Sequence, residues 1–137
     1  MHKVILDTNV VISALIQNGA PYKIINEFVL ENKIHLCISK DLVAEYINVI
    51  SRPKFSRYTD FFHLAELLIA DIQSRATLYV PTLQLDIISD KDDNKILELA
   101  DVSNADYIIT GNTRDFTMEF YKTTRIISPA DYYELFC

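Results

Sequence analysis

The chain has 137 residues, half of them hydrophobic, which suffices for one folded core and is too short for two ordinary domains, so one unit over 1–137 is expected. Its 13 Lys and Arg against 19 Asp and Glu leave a formal charge of −6, which excludes a general nucleic-acid coat, because non-specific phosphate binding rests on surplus cationic side chains. Two cysteines, Cys37 in an apolar run and Cys137 at the end, make neither a disulfide framework nor a CxxC metal site, and no apolar stretch reaches bilayer length; a soluble cytoplasmic protein without membrane association is expected.

Residues 4–7, "VILD", read as a short buried strand, and 8–16 as a helix that Thr8 or Asn9 can cap. Asn18 and Gly19 mark a turn, and a second helix runs from Pro21, a favoured first helical residue, to Asn32. A strand follows at 34–38. Ser39 then caps a helix through Ile50, interrupted at Pro53 in "SRPKF". Apolar residues at helical spacing cover 59–76, and a β-branched strand at 77–80 stops at Pro81. After "SDKDDN" the pattern predicts a helix over 95–102, strands over 106–110 and 125–127, and a last short helix from Pro129. Strands alternating with helices imply an α/β fold whose mostly parallel sheet is covered on both faces.

In such a sheet the ligand crevice lies outside the carboxyl ends of the strands, which is where Asp7 falls. An Asp after a strand is equally a helix cap, so Asp7 needs company to mean more. In the helix from Ser39, the stripe Leu42, Val43, Tyr46, Ile47, Val49 and Ile50 puts Glu45 on its margin and Asp41 further towards solvent. In "SDKDDNKILELA", Asp90 or Ser89 can cap the helix, and Asp93 is in phase with Ile96, Leu97 and Ala100. Asp92 is only slightly worse by the same count. "ADYIITGNTRDF" ends a strand with Thr110, Gly111 and Asn112 and brings Asp115 a few residues later; locally this is ordinary turn chemistry.

Together these acids come from different strand–helix units and project to one edge. Converging carboxylates repel one another unless they hold protons or a cation, and hard oxygen donors of this kind suit Mg²⁺ or Mn²⁺. Neither cysteine adjoins a candidate base, and His2, His35 and His63 lie outside the acid-rich stretches, so no nucleophile or histidine role is assigned. The chemistry such a set runs most naturally is hydrolysis of a phosphodiester with metal assistance.

At these residues the chain resembles PIN-domain ribonucleases, most closely those that serve as toxins of toxin-antitoxin pairs and are related to VapC. "VILDTNVVISALI", "ISKDLVAEYINVISRPKF", "SDKDDNKILELADVSNADYIITGNTRDF" and "RIISPADYYELF" carry the resemblance, in the family's order and over nearly the whole chain. It implies a five-stranded parallel sheet with a Mg²⁺ or Mn²⁺ site at its carboxyl edge. Asp7, Glu45 and Asp93 match the family's first three acids and would be the metal ligands, with Asp92 the neighbouring alternative for the third. Where the family often has a fourth aspartate this chain has Asn112, a departure that shifts the role towards Asp115. Thr110 and Asn9 match polar residues that support the acids, with Asn112 beside them.

The loop "SRPKFSRY" offers Arg52, Lys54 and Arg57 to RNA phosphates and Phe55 and Tyr58 to bases; a solvated loop is the plainer reading of the same residues. Apolar residues on the helices at 21–32 and 59–76 offer surfaces for a homodimer or for a cognate antitoxin, which the resemblance implies. The alternatives are a non-catalytic PIN-like module that binds RNA or protein, kept open by Asn112, and a haloacid-dehalogenase-type phosphatase. The latter requires an acid two residues after Asp7, where Asn9 stands.

Overall fold

In the computed structural model, which describes residues 1–137, strand β1 (His2–Leu6) lies inside the sheet. Its Val4, Ile5 and Leu6 are at most 1% exposed, so successive side chains are buried although they point to opposite faces. A strand apolar on both faces is stable only between layers of helix, and the rest of the chain supplies them. Helix α1 (Thr8–Ile16) follows directly, and α2 (Ala20–Ile24), opened by Pro21, runs into one π-helical turn at Ile25–Val29. Strand β2 (Ile34–Ile38) leads through the Ser39 cap into α3 (Lys40–Ile50); the Ser39 hydroxyl accepts the Leu42 N–H at 3.2 Å. A short 3₁₀ turn at Pro53–Phe55 joins α3 to α4 (Phe61–Arg75), which is followed by the two-residue strand β3 (Thr77–Leu78). Helix α5 (Lys91–Ser103), strand β4 (Tyr107–Ile109), a 3₁₀ turn at Thr113–Phe116, strands β5 (Phe120–Tyr121) and β6 (Thr124–Ile127), and α6 (Pro129–Phe136) complete the chain.

The sheet order is β3-β2-β1-β4-β6-β5. Every pairing is parallel except β5 with β6, and the central register sets Leu6 beside Ile109 and Ile109 beside Ile127. The chain thus builds outward from β1 through β2 to β3, then crosses to the other side of β1 to lay down β4. That reversal is a topological switch point, the place where loops part and leave a crevice at the carboxyl ends of the strands. Asp7 ends one wall of it and Thr110 the other.

The α/β class and mostly parallel sheet match the sequence expectation, with one correction: there are six strands, not five. The sixth, β5, is two residues long and antiparallel, returning to β6 through a tight hairpin with Lys122 at φ 52°. Two residues carry no readable periodicity. The helix expected over 21–32 instead changes to π geometry at Ile25, and the helix expected from Lys95 starts at Lys91, so Asp92 and Asp93 lie in its first turn. The cap of α1 is Asp7 rather than Thr8 or Asn9.

Candidate active site

Asp7 sits where β1 becomes α1, and its own N–H donates to the Ile109 carbonyl at 3.0 Å, which fixes the end of β1 against β4. Its Oδ1 accepts the Thr8 N–H at 2.8 Å; its Oδ2 accepts the Thr110 hydroxyl at 2.7 Å and the Asn9 side-chain amide at 3.2 Å. The cap and the candidate reactive acid are one side chain. With 6% of its surface exposed, burial drives its pKa up, against the pull of the three hydrogen bonds. Tyr46, fully buried on α3, donates its hydroxyl to the Leu6 carbonyl just before Asp7 and pins α3 to this end of β1.

The turn after β4 is tied to the same acid. Asn9 Oδ1 accepts the Gly111 N–H at 2.8 Å, and Thr110 Oγ1 accepts the Asn112 N–H at 3.1 Å. The sequence presents Gly111 as turn chemistry, but no glycine in the chain has a positive φ. Gly111 is there for close approach: a Cβ would stand 3.1 Å from Asn9 Oδ1, tighter than nine in ten real contacts.

Glu45, partly buried on α3, has its carboxyl pushed up to about 6, chiefly by desolvation and then by the charges of Asp92 and Asp7. The buried Thr8 hydroxyl has no partner at hydrogen-bonding distance, yet it is close enough to Glu45 to favour the charged form. Asp41, on the same helix, is exposed and faces Lys95 of α5 at 3.9 Å. That division follows the margin and solvent positions read from the helix stripe, although Ile47, expected within the stripe, is exposed.

Asp93, also partly buried, is raised to about 7, again by desolvation first and then by Asp7, Asp90, Asp115 and Glu45. Asp92 is exposed. Burial thus separates two acids that spacing ranked only slightly apart, and it favours Asp93, although the Asp92 charge is the first of those acting on Glu45. Asp90 caps α5, accepting the N–H groups of Asp92 at 2.8 Å and Asp93 at 3.2 Å. It also adds its charge to Asp7 and Glu45, a contribution the sequence reading confined to capping. Asp115 lies exposed in the 3₁₀ turn, within electrostatic range of Asp93, and Asn112 is exposed at the turn's start.

Asn94 is a residue the sequence reading missed. Buried to 4% exposure, it accepts the N–H groups of Ile87 and Ile88 at 3.0 and 3.2 Å and donates to the carbonyls of Ile88 and Asp90 at 2.7 and 3.1 Å. It ties the irregular approach to α5 onto the helix and so sets where Asp90 and Asp93 stand. An Asn one position beyond an acid run was the available signal.

No group of three or more Asp, Glu, His or Cys side chains is close enough to share one ion directly. Mg²⁺ does not require that, since it commonly keeps several waters and takes one or two carboxylates. The donor set is all hard oxygen, and three of its members are held at raised pKa by burial first and then by the charges of neighbouring carboxylates, Asp90 and Asp92 included, a field that a dication relieves. The residues fit such an ion.

Arg52, Lys54 and Arg57 are exposed on the loop joining α3 to α4. Arg57 lies 5.0 Å over the Tyr58 ring and donates to its hydroxyl at 3.0 Å. Phe55 is not free to stack a base: it is buried and stacked on Phe61, with centroids 4.8 Å apart at 14°. Cys37 is buried and Cys137 exposed, both unpaired, and no helix is long and apolar enough to cross a membrane.

Comparison with known proteins gives three findings. The family model described as PIN domain matches residues 3–114. The uncharacterized protein MJ1680 of Methanocaldococcus jannaschii is 34% identical over 111 residues, covering 80% of this chain and 70% of that protein. Among solved structures, VapBC2 from Rickettsia felis, bound to a DNA fragment from its promoter, aligns with a TM-score of 0.60 at 15% identity over 92% of this chain and 98% of that one. FitAB bound to a DNA fragment aligns at 0.59 and 18% identity over 92% and 94%. Identities this low speak to the fold.

Proposed function

The chain belongs to the PIN domain family, and from that premise we propose that it is an endoribonuclease dependent on Mg²⁺ or Mn²⁺ and the toxin of a toxin-antitoxin pair. The observation that carries the reading is the joint placement of Asp7, Glu45 and Asp93 at the switch point, each with its carboxyl raised chiefly by burial, with the Asp7 charge acting on both Glu45 and Asp93 and the Glu45 charge acting on Asp93. Stability gains nothing from such an arrangement.

In this reading Asp7, Glu45 and Asp93 would hold the ion, in part through its bound waters, and it would supply Lewis acidity and compensate charge at the scissile phosphate. Thr110 and Asn9 hold Asp7 in one orientation through Oδ2, so the acid is set before substrate arrives. Glu45 takes the proton of the attacking water. Asp115 adds charge from the turn where Asn112 supplies none. Arg52, Lys54 and Arg57 steer the RNA backbone as exposed cations beyond the end of α3.

The toxin assignment draws on VapBC2 and FitAB as neighbours in fold. Exposed Phe62, Leu64 and Leu67 on α4 and Tyr22 on α2 give an antitoxin, or a second copy of the chain in a homodimer, apolar surface to cover. We place the protein in the cytoplasm, where RNA and such a partner are found.

The test is cleavage of a mixed pool of structured RNAs by purified protein with Mn²⁺, with EDTA, and by Asp7→Asn. Cutting that needs metal and is lost in the variant supports the nuclease. A folded, metal-loaded wild type that binds RNA and cuts none favours the second reading, a non-catalytic PIN-like binding module, for which the uncharged Asn112 is the specific observation.

A further inference from the structure

A cavity of about 440 Å³ is lined by residues that flank Asp115 in its turn. Its walls are the turn residues Thr113, Arg114 and Thr117, the strand residue Arg125, and Ser128 at the start of α6. Neither arginine is firmly engaged. Arg114 makes no side-chain hydrogen bond and no ion pair; Arg125 Nε is shielded from solvent with no acceptor, and its Nη2 is 3.7 Å from Glu119, beyond hydrogen-bonding distance. Arg114 pairs with no carboxylate, Arg125 has only the loose pair with Glu119, and a buried N–H without an acceptor is costly until something supplies an oxygen.

Resting on the nuclease reading above, we propose that this cavity is a phosphate subsite, holding a backbone phosphate of the RNA one or a few nucleotides from the scissile bond through Arg114 and Arg125. Three observations carry it. The two forks border one cavity, and Arg guanidinium geometry matches phosphate oxygens two at a time. Hydroxyls of Thr113, Thr117 and Ser128 line the same walls and are neutral donors that a phosphate accepts from. The turn is shared: Asp115, the residue after Arg114, is close enough to Asp93 to raise it, which links the cavity's rim to the acids.

Two carboxylates also line the cavity, Glu119 and Asp131. Both are exposed and solvated, so they weaken an incoming anion without excluding it. Glu119 competes with phosphate for Arg125, and that fixes a sign: Glu119→Gln strengthens RNA binding if the ligand is a phosphate. A nucleobase reading its donors against Glu119 would be lost by the same change.

The experiment is fluorescence anisotropy with a labelled single-stranded RNA of mixed sequence, in the Asp7→Asn background with Mg²⁺, over a salt series. Arg114→Gln and Arg125→Gln are each expected to weaken binding about tenfold and to lower the slope of log affinity against log salt by roughly 0.7. Glu119→Gln is expected to tighten binding, with circular dichroism checking that each variant is folded. Unchanged affinity and slope in both arginine variants overturns the subsite while leaving the nuclease reading intact, because the parent still binds. Weaker, sequence-dependent binding by Glu119→Gln overturns phosphate in favour of a base pocket. A parent that binds no RNA at any salt overturns the subsite together with the reading it rests on.

Discussion

Replacing Asp93 by Asn removes one charge from a crowd of carboxylates while keeping the side chain's shape and its place in the first turn of α5. A rise from an ordinary aspartate value of 3.8 to about 7 sets a ceiling: at ~1.4 kcal/mol per pH unit it comes to about 4 kcal/mol against the folded state once Asp93 is fully ionised. Asp93 is only partly buried, and solvent screening reduces this to about 1–2 kcal/mol. Loss of a favourable charge near the helix N-terminus takes back about 0.5 kcal/mol. The net gain of roughly 1 kcal/mol moves a urea midpoint up by about 0.5 M. The sign follows from linkage: between about pH 4 and 7 the folded chain keeps a proton that the unfolded chain has released, so wild-type stability falls as pH rises through that window, and the variant lacks this loss. Urea unfolding in EDTA should therefore find Asp93→Asn more stable at about pH 8 and equal to wild type near pH 4. Added Mg²⁺ should raise wild type and leave the variant behind, since the ion takes the role of the proton. A variant less stable at high pH, or a difference independent of pH, refutes the repulsion argument.

Four other outcomes are expected. Asp7→Asn abolishes metal-dependent RNA cleavage with its far-ultraviolet circular dichroism unchanged, because Asn still accepts at the α1 cap; retained wild-type cleavage removes Asp7 from the site. Asn94→Ala strands four backbone partners and lowers stability by about 2–4 kcal/mol, and cleavage by the surviving fold drops as Asp93 loses its setting. Thr110→Val deletes the 2.7 Å hydrogen bond that favours the charged form of Asp7, so the acidic limb of the pH–rate profile moves to higher pH. Gly111→Ala pushes on Asn9 at 3.1 Å and lowers cleavage more than stability; equal effects on both would point to general unfolding.

The parts of the fold that sequence reveals are those set by long periodic patterns. Alternating apolar strands and helices predicted a parallel sheet, the Ser39 cap and the edge at which Asp7 stands, and the stripe of α3 separated Glu45 from Asp41. Helical phase put Asp93 only slightly ahead of Asp92, because the approach to α5 that buries one and exposes the other is irregular chain held by Asn94. Tertiary hydrogen bonds of that kind leave no period. Strand β5 escaped notice for a related reason, since a two-residue strand is defined by its partner β6 and not by its own residues. Phe55 shows the opposite failure: an aromatic among arginines suggests a stacking platform, yet Phe61, six residues on, had already claimed its face. Gly111 was read only in part, because the chain does bend there as turn chemistry predicts, and sequence cannot show Asn9 approaching.

The sheet's two borders are both very short. Strands β3 and β5 each span two residues, and the hairpin at the β5 border carries Lys122, whose ammonium is paired with Asp101. A foreign strand laid along either border finds almost no ladder to extend, and at one of them a lysine in its way, so edge-to-edge aggregation has little purchase. Any assembly this chain enters, with itself or with another protein, must therefore be read side chain by side chain through its helical faces. Such contacts tolerate few wrong partners, which suits a protein whose activity would have to be kept in check by one particular companion.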